Sequence, residues 1–183
     1  EILEMQNGVY FCELKSENSS TDSEVEAVKV VEIIQQLLEK TFRDSSSAQE
    51  IIRNFLEKDF MVVAPFNDQV SLLQEKLKEA TLPNVRVGTV DKFQGQEAPI
   101  VIYTLTSSNK NEIPTGRSDF LFLPNRINVA VSRAQCLAVV VGSKDLLDAQ
   151  PSSIEEMKSL NNLCRIFNKI PTGHGVSLDW SSF

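Results

Sequence analysis

Three short segments carry residue types that can handle anions and their neighbours. In Asn125-Arg126-Ile127-Asn128-Val129-Ala130-Val131-Ser132-Arg133-Ala134, two arginines stand close together. A planar, permanently charged guanidinium supplied across a cleft stabilises the negative charge that a transferring phosphoryl group spreads over its oxygens. The second segment, Gly88-Thr89-Val90-Asp91-Lys92-Phe93-Gln94-Gly95-Gln96-Glu97, offers a hydroxyl, two acids, amides and a glycine. An ionised carboxylate such as Glu97 only accepts hydrogen bonds and so suits a diol. The Thr89 hydroxyl can hold a phosphate without reading sequence, and Gly95 suits a close backbone approach or a positive φ. The third segment is Pro65-Phe66-Asn67-Asp68-Gln69. Its Phe66 can stack on a base, although an aromatic beside a strand end is commonly core. Plain alternatives exist for the rest: an arginine paired with a helix carboxylate, a solvated turn at Glu97, loop capping by Asp91 and Gln94, burial of Asn128.

These segments must be positioned by alternating strands and helices. Val9 to Leu14 reads as a strand, and Thr21-Asp22-Ser23-Glu24 has the spacing of a capping box opening a helix whose buried side carries Ile33, Ile34, Leu37 and Leu38. Ser45-Ser46-Ser47 reads as a break, and Ala48 to Glu57 as a second helix. Phe60 to Ala64 is a continuous apolar run, as in a strand covered on both faces of a parallel sheet. Pro65 ends it, and Asn67 or Asp68 is placed to cap a helix with Val70, Leu73 and Leu77. Strands follow at Val85 to Val90 and Ile100 to Leu105, then a polar loop, a helix around Asn128 to Ala134, and a strand at Leu137 to Val141. A closing helix over Ser152 to Asn168 would present Ile154, Met157, Leu160, Leu163, Cys164 and Phe167 on one face. This alternation predicts an α/β fold, a doubly wound, mainly parallel sheet flanked by helices. In such sheets ligands sit beyond the carboxyl ends of the strands, which is where the three segments would fall.

The chain has 183 residues, 42% hydrophobic and 23% charged, enough for one globular domain with a real core. No apolar stretch reaches the roughly 18 residues of a membrane helix. Cys12, Cys136 and Cys164 are odd in number and far apart, which argues against a disulfide framework or zinc cluster and for reduced thiols. The single histidine, His174, has no companion ligand, so no metal site is expected. The net charge of −7 speaks against nonspecific nucleic-acid binding by the whole surface. Residues 85–133 nevertheless carry six basic against four acidic side chains, so the acidity lies elsewhere in the chain.

The three segments, in this order and spacing, resemble motifs IV, V and VI of the second RecA-like domain of superfamily 1 helicases, most closely the branch of the nonsense-mediated-decay RNA helicase. The resemblance runs from about Val9 to Leu147. It implies a RecA-like domain over 1–150, with a C-terminal helix and tail over 151–183. It implies that Arg133, in Ser132-Arg133-Ala134, is the arginine finger, with Arg126 a second basic position that contacts phosphate or forms a structural ion pair. It makes Glu97 the acceptor of nucleotide ribose hydroxyls, with Gly95 and Gln94 beside it. Thr89, Pro65, Phe66 and Asn67 would meet the strand, and Asp91 and Asn128 would couple the two sides. There is no Gly-x-x-x-x-Gly-Lys-Ser/Thr loop and no acidic pair ending a strand. In the family those parts, which hold ATP phosphates and Mg2+, belong to an upstream RecA-like domain.

The implied function is thus half of an ATP-dependent DNA or RNA helicase, part of a longer polypeptide and inactive as an ATPase alone. Its partners would be single-stranded DNA or RNA and the upstream domain, with no membrane, in the cytoplasm or a nucleus; the branch suggests movement from 5′ to 3′. Two other classes compete: a catalytically decayed helicase-like scaffold, and a self-sufficient nucleotide-binding protein of another kind. Retention of Glu97, Arg126 and Arg133 counts against the first, and the missing phosphate loop against the second.

Overall fold

In a computed structural model, the described residues are 8–15, 21–44, 51–106, 118–143, 145, 147, 153–167 and 172–174. The strands are β1 (Gly8–Glu13), β2 (Thr41–Asp44), β3 (Ile51–Asn54), β4 (Phe60–Val63), β5 (Arg86–Gly88), β6 (Ala98–Thr104), β7 (Ala134–Gly142) and β8 (Thr172–His174). The helices are α1 (Glu24–Leu38), α2 (Asn67–Glu79), α3 (Ser118–Val131) and α4 (Ile154–Phe167). Six strands form one sheet in the order β5-β4-β6-β7-β1-β8, and every neighbouring pair is parallel.

A parallel sheet needs crossovers that cover its faces, so its central strands are apolar on both sides. All four residues of β4 are buried, and alternate residues serve alternate layers. Val62, Ile100, Ile102, Val139 and Val141 pack with Ile33, Ile34 and Leu37 of α1 and Leu73 and Leu77 of α2. Met61, Val63, Val101, Tyr103 and Val140 pack with Ile127 and Ala130 of α3 and Leu163 and Phe167 of α4. Phe11 of β1 meets the edge of Phe167 at 4.7 Å, fastening α4 to the sheet. The doubly wound α/β architecture is therefore the one expected.

Several local expectations change. Of the segment expected to be a helix over Ala48 to Glu57, the described residues 51–54 are a strand: β2 and β3 pair antiparallel as a separate two-stranded sheet. β-branched Ile51-Ile52 favours an extended chain, and aromatic stacking fixes it, with Phe42 and Phe55 parallel at 4.2 Å. The Arg53 guanidinium covers the Phe42 ring at 4.5 Å and grips both Asp59 carboxylate oxygens at 2.6 and 3.0 Å. The expected break at 45–47 and the polar loop at 107–117 lie outside the described residues.

α3 begins ten residues before the expected helix and carries Pro124 inside it. Arg133 then falls after the helix rather than in it. The apolar face of α4 is rotated: Glu156 and Ser159 are buried beside Leu163 and Phe167, while Ile154 and Met157 are exposed. Within the expected tail, Thr172–His174 form β8, which pairs with β1.

All three cysteines are free, and burial pushes the Cys12 thiol up from its ordinary value, as for an unreactive core thiol. Among the described residues no helix is long and apolar enough to cross a membrane, and no cluster of His, Cys, Asp and Glu has metal-binding form. Because the Phe42–Phe55 stack is what orders the hairpin, Phe55→Ala should cost about 3–5 kcal/mol of stability. Urea unfolding of the variant would measure it.

Candidate functional site

The start of α1 shows how the site's carboxyl end is built. Ser23, not Thr21, is the N-cap, its Oγ accepting from the Glu26 amide at 3.3 Å. In an ordinary capping box the acid three residues on would return the favour to the cap's own amide. Glu26 does not. Its buried carboxylate takes the Thr106 amide on both oxygens at 3.0 Å, across the end of β6. The Ser23 amide instead donates to Gln69 Oε1 at 2.7 Å, and Gln69 Nε2 donates back to the Ser23 carbonyl at 3.4 Å. Gln69 is fully buried in the first turn of α2. One polar network thus joins the starts of α1 and α2 to the end of β6, where Thr106 holds a left-handed φ of 66°. Gln69 stood inside the Pro65–Gln69 segment without a role, and only its distant partner reveals one.

Beyond the ends of β4 and β5 lies a cavity of about 280 Å³ lined by Ala64, Pro65, Phe66, Asn67, Thr89, Val90, Asp91 and Arg126. The expected strand-side residues Pro65, Phe66, Asn67 and Thr89 are therefore brought together, at the carboxyl ends of β4 and β5. Phe66, rather than Asn67 or Asp68, is the N-cap of α2 and provides no side-chain cap. The first amides of α2 therefore keep their positive partial charge toward the cavity mouth. Arg126 reaches this same end from α3, and its charge partly offsets the burial that raises the Tyr103 phenol.

The second group of residues lies at the opposite edge. Arg133 precedes β7, its carbonyl accepts from the Ala98 amide at 3.1 Å at the start of β6, and its Nη1 donates to the Gln96 carbonyl at 3.3 Å. Arg86, the first residue of β5, donates from Nη2 to the Glu97 carbonyl at 3.4 Å. Gln135 Nε2 donates to Glu97 Oε2 at 3.2 Å. Glu97, Arg133, Arg86 and Gln135 thus meet at the amino ends of β5, β6 and β7, not at the carboxyl ends where all three segments were expected. Arg126 and Arg133, expected to act together, are parted in the same way. The reason is topological: in a parallel sheet each strand starts at the edge opposite its end, and both segments are return paths between edges.

Arg86 and Gln135 were not foreseen, since nothing marks a basic residue opening a strand. The Nε atoms of Arg86 and Arg133 are buried and make no hydrogen bond, an unusual state for a donor. Gly95 has φ +78° and no atom within 4 Å of a built Cβ, so its backbone conformation and not crowding calls for glycine. Gln94 and Asn128 are exposed, which goes against the buried-asparagine alternative, and the Asn128 main-chain carbonyl accepts from the Ser132 amide at 3.0 Å. Lys92 Nζ is turned inward to the Val87 carbonyl at 2.8 Å.

Comparison with known proteins gives the family. The AAA domain family model matches residues 3–145. The chain belongs to that family. RNA helicase Mov10l1 of Mus musculus is 30% identical over 106 residues, 57% of this chain and 9% of its own length. Putative helicase mov-10-B.1 of Danio rerio is 30% identical over 143 residues, 73% of this chain and 14% of its own. DNA polymerase alpha-associated DNA helicase A of Schizosaccharomyces pombe is 38% identical over 88 residues, 48% and 13% respectively. The domain is a superfamily 1 helicase-like domain of RecA-like α/β fold, and it spans between 9% and 14% of the length of these relatives. The helicase domain of Pyrococcus furiosus Hef superposes with a TM-score of 0.27 at 12% identity over 97% of this chain and 31% of that one, a likeness too slight to weigh.

The Glu26 network carries a pH signature. Burial pushes the Glu26 carboxyl from 4.5 up to about 8, against the opposing pull of the Thr106 and Leu105 amides. The folded protein therefore binds a proton that the unfolded chain releases, so stability should fall as pH rises from about 4.5 through about 8. Glu26→Gln should flatten that part of the stability profile, as read by denaturant midpoints across the range.

Proposed function

We propose that this domain is the C-terminal RecA-like half of an ATP-dependent helicase or translocase, with its amino edge facing nucleotide and its carboxyl edge facing a single strand. The observation that carries the reading is the division of the candidate residues between two edges. An exposed carboxylate at Glu97 stands beside two guanidiniums tied to neighbouring carbonyls, each with an unpaired buried Nε–H. That donor set fits a ribose diol and phosphate oxygens. ATP with Mg2+, bound chiefly by an upstream RecA-like domain, supplies the phosphoryl group whose cleavage drives movement.

At this edge Arg133 stabilises charge on the transferring phosphoryl oxygens, and Glu97 accepts from the ribose hydroxyls. Gln94 and Gly95 shape the turn that presents Glu97. At the other edge Thr89 and the open amides of α2 hold backbone phosphates, which carry no sequence information.

Two return paths join the edges. Residues 89–97 run from Thr89 and Asp91 to Glu97, and the end of α3 runs from Arg126 to Arg133 with Asn128 between. A shift of Arg133 on domain closure is thereby passed to Arg126 at the strand, and a shift of Glu97 to Thr89. Arg126 is accordingly assigned to the strand edge and not to the nucleotide. One relative's name specifies RNA and another's DNA, and either polymer has the backbone this edge requires. The chain alone, without the phosphate loop, is expected to leave ATP intact.

In the full-length protein, Arg133→Ala should lower ATP turnover by about 10³-fold or more while leaving nucleotide affinity nearly unchanged. Turnover near the parent's would remove the finger assignment. Thr89→Ala should reduce strand-stimulated hydrolysis more than basal hydrolysis; an equal loss in both would make Thr89 structural.

A further inference from the structure

The hairpin of β2 and β3 stands at the amino edge of the sheet, beside the proposed nucleotide groups. It lies between the end of α1 and Phe60, the first residue of β4, whose ring is 5.9 Å from that of Phe55. The residues after it are bound to the approach to β5. The Glu57 carboxylate accepts from the Asn84 amide at 2.7 Å, two residues before Arg86, which in turn donates to the Glu97 carbonyl. The Phe42–Phe55 stack, the Arg53–Asp59 pair and the Leu56 amide donating to Asp59 at 2.8 Å make this a rigid base.

On that base stand Ile51, Ile52 and Leu56, which are 51%, 49% and 48% exposed. Ile51 and Ile52 are successive residues of β3 and so point to opposite faces. A hairpin apolar on both faces suits insertion between two walls better than contact with one flat surface. Three large apolar side chains exposed within residues 51–56 call for a cover.

Area and connectivity choose the cover. Three half-exposed aliphatic side chains offer a few hundred Å², well short of the roughly 800 Å² per partner of a stable complex between separate molecules. A contact within one polypeptide needs less, because the tether raises the partner's effective concentration. The tether is at this edge: β1 begins at Gly8 opposite Leu137 of β7, so a domain upstream joins the sheet at its amino edge, three strand spacings or about 14 Å from β4.

We infer that the β2–β3 hairpin is an arm onto which the upstream RecA-like domain closes, taking Ile51, Ile52 and Leu56 into an apolar groove of that domain when nucleotide is bound. The inference rests on the split active site proposed above and adds to it a contact away from the nucleotide that steadies the closed state. Because Glu57 and Asn84 join the arm to β5, docking also steadies Arg86 and, through it, the stretch that carries Glu97.

The test places fluorescent dyes on the two RecA-like domains of the full-length protein and titrates a non-hydrolysable ATP analogue with Mg2+. The parent should close, seen as rising energy transfer. Ile51→Thr/Ile52→Thr, which keeps β-branching while removing apolar surface, should need about tenfold more analogue for half closure. Leu56→Gln, outside the strand pairing, should shift the half-closure point the same way by about threefold. Closure of both variants at the parent's analogue concentration would overturn the arm while leaving the split site in place. Loss of self-association in the variants with closure unchanged would likewise overturn it, giving the patch to a second copy. A parent that does not bind the analogue, or binds it without closing, would instead defeat the split-site reading itself.

Discussion

Parallel pairing is the constraint from which the rest of this domain follows. Each strand of this sheet but the last in the chain must be followed by a return path across the sheet, and the returns that matter here are residues 89–97 and α3. Such a path necessarily begins at one edge and ends at the other. A chemical group at its start and another at its finish are then mechanically joined by a short, rigid stretch of chain. Arg126 lies about 8 Å of helix before the end of α3, and Arg133 follows just beyond. That spacing is what lets one segment serve two edges.

The carboxyl edge is held by buried polar groups rather than by apolar packing alone. Ser23, Gln69, Glu26, Thr104 and Thr106 are all buried, and their partners are mostly backbone amides and carbonyls far away in sequence. A satisfied network of this kind fixes one arrangement of α1, α2 and β6, since any slip would leave a buried donor or acceptor unpaired. The price is a carboxylate kept in an apolar setting. The amino edge is of a different character: Glu97 and Gln135 are exposed, Arg86 and Arg133 are half-buried, and the guanidiniums are tied to carbonyls of the 96–97 stretch. One edge is preorganised, and the other is the edge that the proposed function leaves for a neighbouring domain to complete.

The fold was legible in the sequence where periodicity was strong. The continuous apolar runs at Phe60–Ala64 and Leu137–Val141 could only be strands covered on both faces, and β4 and β7 are such strands. Legibility failed where tertiary contacts overrode local pattern. Ile51, Ile52, Phe55 and Leu56 have helical spacing, yet Phe42 and Arg53 hold them in a hairpin. The helix expected around Asn128 begins at Ser118, with Pro124 inside it. Type, spacing and the family resemblance nominated the candidate site residues but did not show which edge each would occupy, because which end of a strand a residue occupies depends on the pairing of its neighbours. Arg86, Gln135 and the Glu26–Thr106 contact carried no local signal at all; only folding brings Glu26 to the far end of β6.

The central claim is that one edge works on a nucleotide held mainly by another domain while the other edge tracks a strand. The most direct measurement is ATP hydrolysis by this 183-residue chain and by the full-length protein, each with and without single-stranded RNA or DNA. Hydrolysis only by the longer protein, raised by the strand, is the predicted result. Turnover by the chain alone, or turnover by the full-length protein that ignores both polymers, would contradict it.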